Sequence, residues 1–413
     1  MKRFTFGWGI VVTCFMLAFV NGVFNLQVAN FLINPVQQEM VWPRSSVMLL
    51  LLIQNFVYMI SAFGIGFLID KMGAKPVVVI SSLCLWISFM ILSKIQNFAP
   101  FLIYFSIFAG IGAAGIGNAV IYTVIGKWFR ARRGMILAFT LLGASFSVAA
   151  LQPIIEAMAE SGAGWRSYWF GFSFLPLICL IPLSVIFLGR KPADRGYNPF
   201  FSEHRFLCDE DHKDPVDSYT LPQVLKMPSF WLILSSWLFS SFAGKTVHMI
   251  AFPFATEKGI AVSQFPGFFA VIFICIPIGV ILFGILSDFL SARILAAVLC
   301  AVQAAALLLF SIFGSDFLFY GAMGAVCALT VGGLFSVMPL LMIKYFGPDH
   351  LGKIAGLMTA VCGFADLADC IYMGVFHETL DSSVGVMTVV VLSLVVAAVA
   401  VGLAKRPNRK AVE

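Results

Sequence analysis

Twelve apolar stretches, each long enough to cross a bilayer as a helix, follow one another along this 413-residue chain. They run at about 8–32, 47–69, 77–93, 101–126, 134–158, 167–188, 230–256, 267–290, 294–313, 317–343, 352–376 and 383–404. A hydrocarbon core about 30 Å thick is spanned by roughly 20 apolar residues of α-helix. In hydrocarbon every backbone polar group must be satisfied from within, so only helices or a closed barrel can cross. The alternation of apolar and polar residues that marks barrel strands is absent from the sequence, which excludes the barrel. With 61% hydrophobic and 11% charged residues, a soluble domain is excluded as well. The reading is an all-α membrane protein with 12 transmembrane helices.

The net charge of +6 is a matter of topology rather than of a nucleic-acid partner. An even number of spans puts both termini on one side, and 21 of the 26 Lys and Arg residues fall on that side. The other side holds Arg44, Lys94, Arg166 and Lys258, while Lys245 lies inside span 7. By the positive-inside rule both termini are cytoplasmic, in a multi-pass protein of the cell (inner) membrane. Lys2-Arg3 is read as the start of span 1, because the apolar run behind it is too long for a leader. The nine cysteines are scattered singly, eight of them in apolar spans, and read as small core residues. Neither a metal nor a cofactor is expected. The acidic cluster Asp209, Glu210, Asp211, Asp214 and Asp217, with His204 and His212, lacks the ligand spacing of a calcium loop or zinc site.

That acidic cluster belongs to the one long polar interruption, which divides the spans six and six. The expected organisation is an N-terminal six-helix bundle (1–188), a central cytoplasmic loop (189–229) and a C-terminal six-helix bundle (230–413). The halves carry matching landmarks. Gly66-Phe-Leu-Ile-Asp70-Lys71 after span 2 recurs as Gly284-Ile-Leu-Ser-Asp288 after span 8, with Arg293 beyond it. Lys127-Trp128-Phe129, with Arg133 and Gly134 before span 5, recurs as Lys344-Tyr345-Phe346 with Gly352 before span 11. The step along the chain from Asp70 to Asp288 is nearly the same as that from Lys127 to Lys344. Two landmarks at nearly one offset point to an internal duplication. Gly66 and Gly284 let neighbouring helices approach closely. Asp70 and Asp288 lie within reach of cationic loop residues or a helix N-terminus. Asp70, Lys71, Arg133, Asp288 and Arg293 are therefore candidate gating residues, their contacts forming in one access state and breaking in the other.

The aspartate loop resembles the cytoplasmic signature of the major facilitator superfamily, and the likeness covers essentially the whole chain. Gly7-Trp8-Gly9, Trp42-Pro43-Arg44, Lys127-Trp128-Phe129 with Arg132-Arg133-Gly134, and Pro253-Phe254-Ala255-Thr256-Glu257-Lys258-Gly259 are similar to its monocarboxylate and oxalate/formate exchanger branch. The resemblance implies two pseudo-symmetric bundles rocking about a central solute site, and a protein that acts as a monomer. The departures matter too. The branch's carboxylate-binding arginine, four residues before the glycine of the aspartate loop, is replaced by Val280. Its span 4 tyrosine corresponds to Asn118, and the span 11 lysine of oxalate exchangers falls at Cys362.

Charges embedded in the spans are costly and functional by default. Lys245 and Asp366 each lie two residues past the centre of their spans, about 3 Å off the midplane. His248 shares a face with Lys245, and Asp369 with Asp366, at i, i+3. Three readings stay open: a structural ion pair, a solute site in which Lys245 holds a carboxylate, and proton coupling through Asp366, Asp369 or His248. Asn25, Asn118, Tyr122 and Phe335 are further candidates for lining the site, with Asn21, Gln54, Asn55, Tyr58 and Gln152 as more general interhelical polar groups.

The function expected is secondary active transport of a small carboxylate-bearing solute, such as a monocarboxylate, a dicarboxylate or a zwitterion. The partners are then the solute, protons or a counter-substrate, and membrane lipid. The sequence holds no phosphate-binding Gly-x-x-x-x-Gly-Lys-Ser/Thr motif for an ATP-driven pump and no catalytic His-Glu-x-x-His or Gly-x-Ser-x-Gly motif, so it is not read as an enzyme. The alternatives are a carrier of an organic cation or weak base, and a transporter-like receptor signalling through the central loop.

Overall fold

A computed structural model describes residues 2–25, 33–160, 164–189, 218–257, 265–313, 317–376 and 383–407. Within them the chain is helical, without a strand, and makes twelve long helices. These are α1 (Lys2–Gly22), α2 (Arg44–Met72), α3 (Ala74–Leu92), α4 (Phe98–Trp128), α5 (Arg133–Glu160) and α6 (Trp165–Phe187). The second six are α7 (Pro228–Glu257), α8 (Phe265–Phe289), α9 (Ala292–Phe313), α10 (Phe317–Phe346), α11 (Leu351–Phe376) and α12 (Ser383–Leu403). Counting described residues alone, ten are long and apolar enough to cross a membrane. The other two are α7, which carries Lys245, and α12, whose apolar stretch is Met387–Leu403. The acidic cluster of the central loop lies outside the described residues.

Local chemistry explains where the helices bend and stop. Pro153, Pro277 and Pro339 sit inside α5, α8 and α10. In a membrane, neighbouring helices and local adjustments satisfy the carbonyls that proline frees. α4 carries a π-helical turn at Ile103–Phe108 and breaks at Gly117, whose backbone is extended, so that a second helical stretch starts at Asn118. A Cβ on Gly117 would lie 2.7 Å from the Tyr58 hydroxyl, so a larger residue there would displace the end of that side chain. Beyond the central loop, Thr220 and Gln223 form a capping box that starts the short helix Leu221–Leu225. The Tyr219 amide donates to the Phe346 carbonyl at 3.1 Å, tying this re-entry to the end of α10.

The chain forms two compact units. The first contains Met1–Ala131, Phe139–Ser202 and Asp349–Gly363; the second contains Arg132–Ala138, Glu203–Pro348 and Phe364–Glu413. Each unit thus includes a short segment from the other half of the sequence: the start of α11 in the first, the start of α5 in the second.

Aromatic packing dominates the first unit. Phe24 packs on Phe89 at 4.5 Å, and Trp169 receives Phe89 at 5.4 Å and Phe101 at 5.3 Å. Trp42, just before α2, meets Phe98 and Phe101 edge-on at 5.1 Å. Glu39 of the short helix Ile33–Met40 accepts from both Trp165 and Arg166 at the start of α6. In the second unit, Ala243, Ala304, Ala306 and Ala328 pack in one cluster with larger residues such as Phe268, Leu307 and Leu394. Lipid tails are as apolar as leucine, so close backbone approach through small residues is what holds such helices together.

One buried group stands out in that core. Gln303 of α9 is fully buried, and neither its Nε2 nor its Oε1 has a hydrogen-bond partner among the described residues. An unsatisfied buried polar group costs about 1–3 kcal/mol. Gln303→Met, near in volume and without polar hydrogens, is therefore expected to raise the melting temperature in detergent. A fall instead would show that the amide is satisfied in the membrane-like environment.

Candidate functional site

The best-satisfied charges lie at the ends of the helices. Asp70 occupies the last turn of α2, and its Oδ1 accepts from Lys127 Nζ at 2.8 Å and from the Gly352 amide at 3.1 Å. Its Oδ2 accepts from the Lys353 amide at 2.9 Å. Gly352 and Lys353 belong to the first turn of α11, where backbone N–H groups lack intrahelical partners and the helix dipole favours an anion. The approach depends on glycines. A Cβ on Gly66 would overlap the Gly352 carbonyl, and one on Gly356 would lie 2.7 Å from the Ala62 carbonyl.

The same device is built a second time. Asp288, in the last turn of α8, accepts from the Gly134 amide at 2.8 Å through Oδ1 and from the Met135 amide at 2.9 Å through Oδ2. Gly134 and Met135 open α5, and a Cβ on Gly284 would overlap that of Ala138. Arg132, just before α5, has a φ of 54°, an uncommon left-handed conformation for a side-chain-bearing residue. Lys344 Nζ donates to the Ser287 carbonyl at 3.0 Å, whereas Lys127, its counterpart, reaches the aspartate itself.

The other gating candidates sit differently. Lys71 is exposed. Arg133 is buried at the start of α5. Arg293 donates from Nη1 to the Ala404 carbonyl at 3.3 Å, beyond the end of α12. Lys127 and Lys344 are not among the gating candidates drawn from sequence, although their recurrence before spans 5 and 11 is the signal that points to them.

Deep in the second unit, Lys245 Nζ of α7 lies 3.5 Å from Asp366 Oδ1 of α11. The side chains are 45% and 24% exposed, so neither is sealed in. Asp366 Oδ1 is nevertheless buried and accepts no hydrogen bond among the described residues. The contact is an ion pair by distance but lacks a hydrogen bond's geometry. The side chains of His248 and Asp369, and of Gln152, lie outside the described residues. Phe335 meets Trp237 edge-to-face at 5.9 Å. Near Lys245, a cavity of about 20 Å³ is lined by Gly244, Val247, Leu307, Cys327 and other apolar groups. It is large enough for about one water and too apolar to hold it.

In the first unit, Asn118 is half-buried at the start of the second stretch of α4, and Tyr122 is buried one turn on. Tyr58 of α2 and Cys362 of α11 are the polar neighbours of Tyr122. Asn25, at the end of α1, donates from Nδ2 to Asn21 Oδ1 at 2.6 Å. The structure therefore brings Lys245 to Asp366 in the second unit, and Tyr122 to Tyr58 and Cys362 in the first.

Comparison with known proteins agrees with the helical architecture. The family profile of the Major Facilitator Superfamily matches residues 6–368. The chain is 25% identical over 302 residues to the uncharacterized MFS-type transporter YcxA of Bacillus subtilis (strain 168), covering 71% of this chain and 70% of that protein. It is likewise 25% identical over 305 residues to the uncharacterized MFS-type transporter YhjX of Escherichia coli (strain K12), covering 72% and 71%. Among solved structures, the proton:xylose symporter XylE superposes with a TM-score of 0.68 at 12% identity, over 97% of this chain and 94% of that one. The Escherichia coli fucose:proton symporter FucP superposes with a TM-score of 0.66 at 15% identity, over 96% and 98%. At such identities the two structures speak for the fold alone.

The Asp70–Lys127 pair is nearly buried, with side chains 7% and 9% exposed. Removing one partner of such a pair costs about 3–5 kcal/mol, because the other charge is left uncompensated. Asp70→Asn and Lys127→Met are each expected to lower the melting temperature, and Asp70→Asn/Lys127→Met to cost less than the two singles added. Strict additivity in this double-mutant cycle would show that the two side chains act independently.

Proposed function

The chain belongs to the Major Facilitator Superfamily, a multi-pass membrane protein of secondary transport, and from that premise we propose that its solute is small and carries a carboxylate. In this reading the halves 1–188 and 230–413 rock in alternating access, with both termini in the cytoplasm of a cell-membrane protein acting as a monomer. Lys245 holds the solute carboxylate. Asp366 receives an amine where the solute is a zwitterion, or a proton, with His248 and Asp369 as further proton carriers. Asn25, Asn118, Tyr122 and Phe335 contact the rest of the solute. Asp70, Lys71, Arg133, Asp288 and Arg293, together with Lys127, belong to the gates.

The observation that carries this reading is the Asp366 carboxylate, which lies beside the Lys245 ammonium with an oxygen that accepts no hydrogen bond among the described residues. An ion pair kept for stability inside a membrane helix bundle has to offset desolvation with close geometry and further hydrogen bonds. Here the separation is 3.5 Å and Asp366 Oδ1 accepts no hydrogen bond among the described residues. In this reading a solute carboxylate takes the place of Asp366 on the Lys245 ammonium, and Asp366 turns to the solute's amine or to a proton. Val280 stands where the resembling exchangers carry their anchoring arginine, which leaves Lys245 as the cation set inside a span.

Ligand-induced stabilisation of the purified full-length protein tests the reading, using formate, lactate, oxalate, neutral amino acids and choline as probes. Binding stabilises by RT ln(1 + [L]/Kd), about 2.7 kcal/mol at a hundredfold excess over Kd. At least one carboxylate is expected to raise the melting temperature of the native protein and to have no effect on Lys245→Met. Stabilisation by choline without any carboxylate response would transfer the chain to the organic-cation carriers. An undiminished carboxylate response in Lys245→Met would sink the role of Lys245.

A further inference from the structure

We propose that the end of α12 and the start of α9 form a binding site for the headgroup of an anionic phospholipid. Two side chains from different helices converge on one backbone carbonyl there. Arg293, the second residue of α9, donates from Nη1 to the Ala404 oxygen at 3.3 Å, and the Tyr345 hydroxyl of α10 donates to the same oxygen at 3.3 Å. The chain leaving α12 is thereby tied beside Arg293, and the next two residues are Lys405, which is exposed, and Arg406, which is half-buried. Arg409 and Lys410 follow, and the sequence carries no acidic residue from 382 to 412.

The flanks of this basic cluster are apolar and outward-facing. Ile294, beside Arg293 in the chain, is 57% exposed, and Leu403, beside Ala404, is 63% exposed. Phe289 and Leu290, at the end of α8, are 52% and 50% exposed. A cationic cluster bordered by apolar surface where a helix leaves the membrane matches a lipid, with its phosphate on the basic groups and its acyl chains along the helix flanks. The guanidinium of Arg293 has five N–H donors arranged as a fork suited to phosphate oxygens, and the bond to Ala404 uses one. A topology signal asks only that positive charge stay on one side. It does not ask Arg293 and Tyr345 to hold Ala404 in common, whereas a headgroup site needs its cations held in register.

The test is thermal unfolding of the full-length protein in a neutral detergent, titrated with phosphatidylglycerol, phosphatidylcholine or inorganic phosphate, with native mass spectrometry counting retained lipid. Phosphatidylglycerol is expected to stabilise the protein and to remain bound, while phosphatidylcholine and inorganic phosphate do neither. Lys405→Gln/Arg406→Gln, which leaves the Ala404 tie in place, should need about thirtyfold more phosphatidylglycerol, at roughly fivefold for each basic side chain removed. Arg293→Lys should weaken binding less than Arg293→Gln. Lys94→Gln, an exposed lysine between α3 and α4, should change nothing. Equal stabilisation by phosphatidylcholine, an unchanged titration in Lys405→Gln/Arg406→Gln, or an equal loss in Lys94→Gln would overturn the proposal. Stabilisation by inorganic phosphate alone would also overturn it, by showing a free-anion site.

Discussion

A carboxylate seated on the first turn of a helix is the interaction on which this structure turns. Asp70 receives the amides of Gly352 and Lys353, and Asp288 receives those of Gly134 and Met135. The first helical amides have no partners of their own, so in low dielectric an anion there satisfies two donors and the helix dipole at once. The glycine crossings are a precondition for this. Without Gly66 and Gly284, neither carboxylate could come within hydrogen-bond distance of a backbone belonging to a helix from the other repeat. Each repeat thus caps a helix of its counterpart, which is why the starts of α11 and α5 cluster with the opposite halves of the sequence.

Against those closed arrangements, the Asp366 carboxylate stands out. Asp70 has three donors at 2.8–3.1 Å, whereas Asp366 has an ammonium at 3.5 Å and a buried oxygen without a hydrogen bond among the described residues. Charge burial costs several kcal/mol per ion unless geometry compensates. The chain supplies that compensation at the helix ends and withholds it deep in the span. Under the proposed function that arrangement has a reason, since a fully satisfied carboxylate would offer a solute amine or proton nothing.

The duplication is legible because it depends only on spacing: Asp70 to Asp288 and Lys127 to Lys344 are nearly equal steps along the chain. The helix count follows from apolar length. What spacing cannot say is which helix lies against which, so the exchange of caps between repeats is hidden in the sequence. The lysine that meets Asp70 is hidden for a related reason. Lys71 is its neighbour in sequence but points about 100° away around the helix, and the partner is Lys127, from the end of α4. Arg293, five residues after Asp288, lies past the end of α8 and turns instead to Ala404. The break in α4 is not legible either. A run of glycines at 110, 112, 115 and 117 reads as close packing, and nothing in that run says that the helix opens at Gly117.

α11 carries both kinds of charge site. Its first turn is capped by Asp70, and Asp366 follows Gly352 by four turns, about 21 Å along the axis. Its 26 residues contain no proline, while Gly356 and Gly363 lie between the two points. A ligand shifts a conformational equilibrium only by its differential affinity for the two states. In the proposed cycle a solute carboxylate on Lys245 supplies that difference within the second unit.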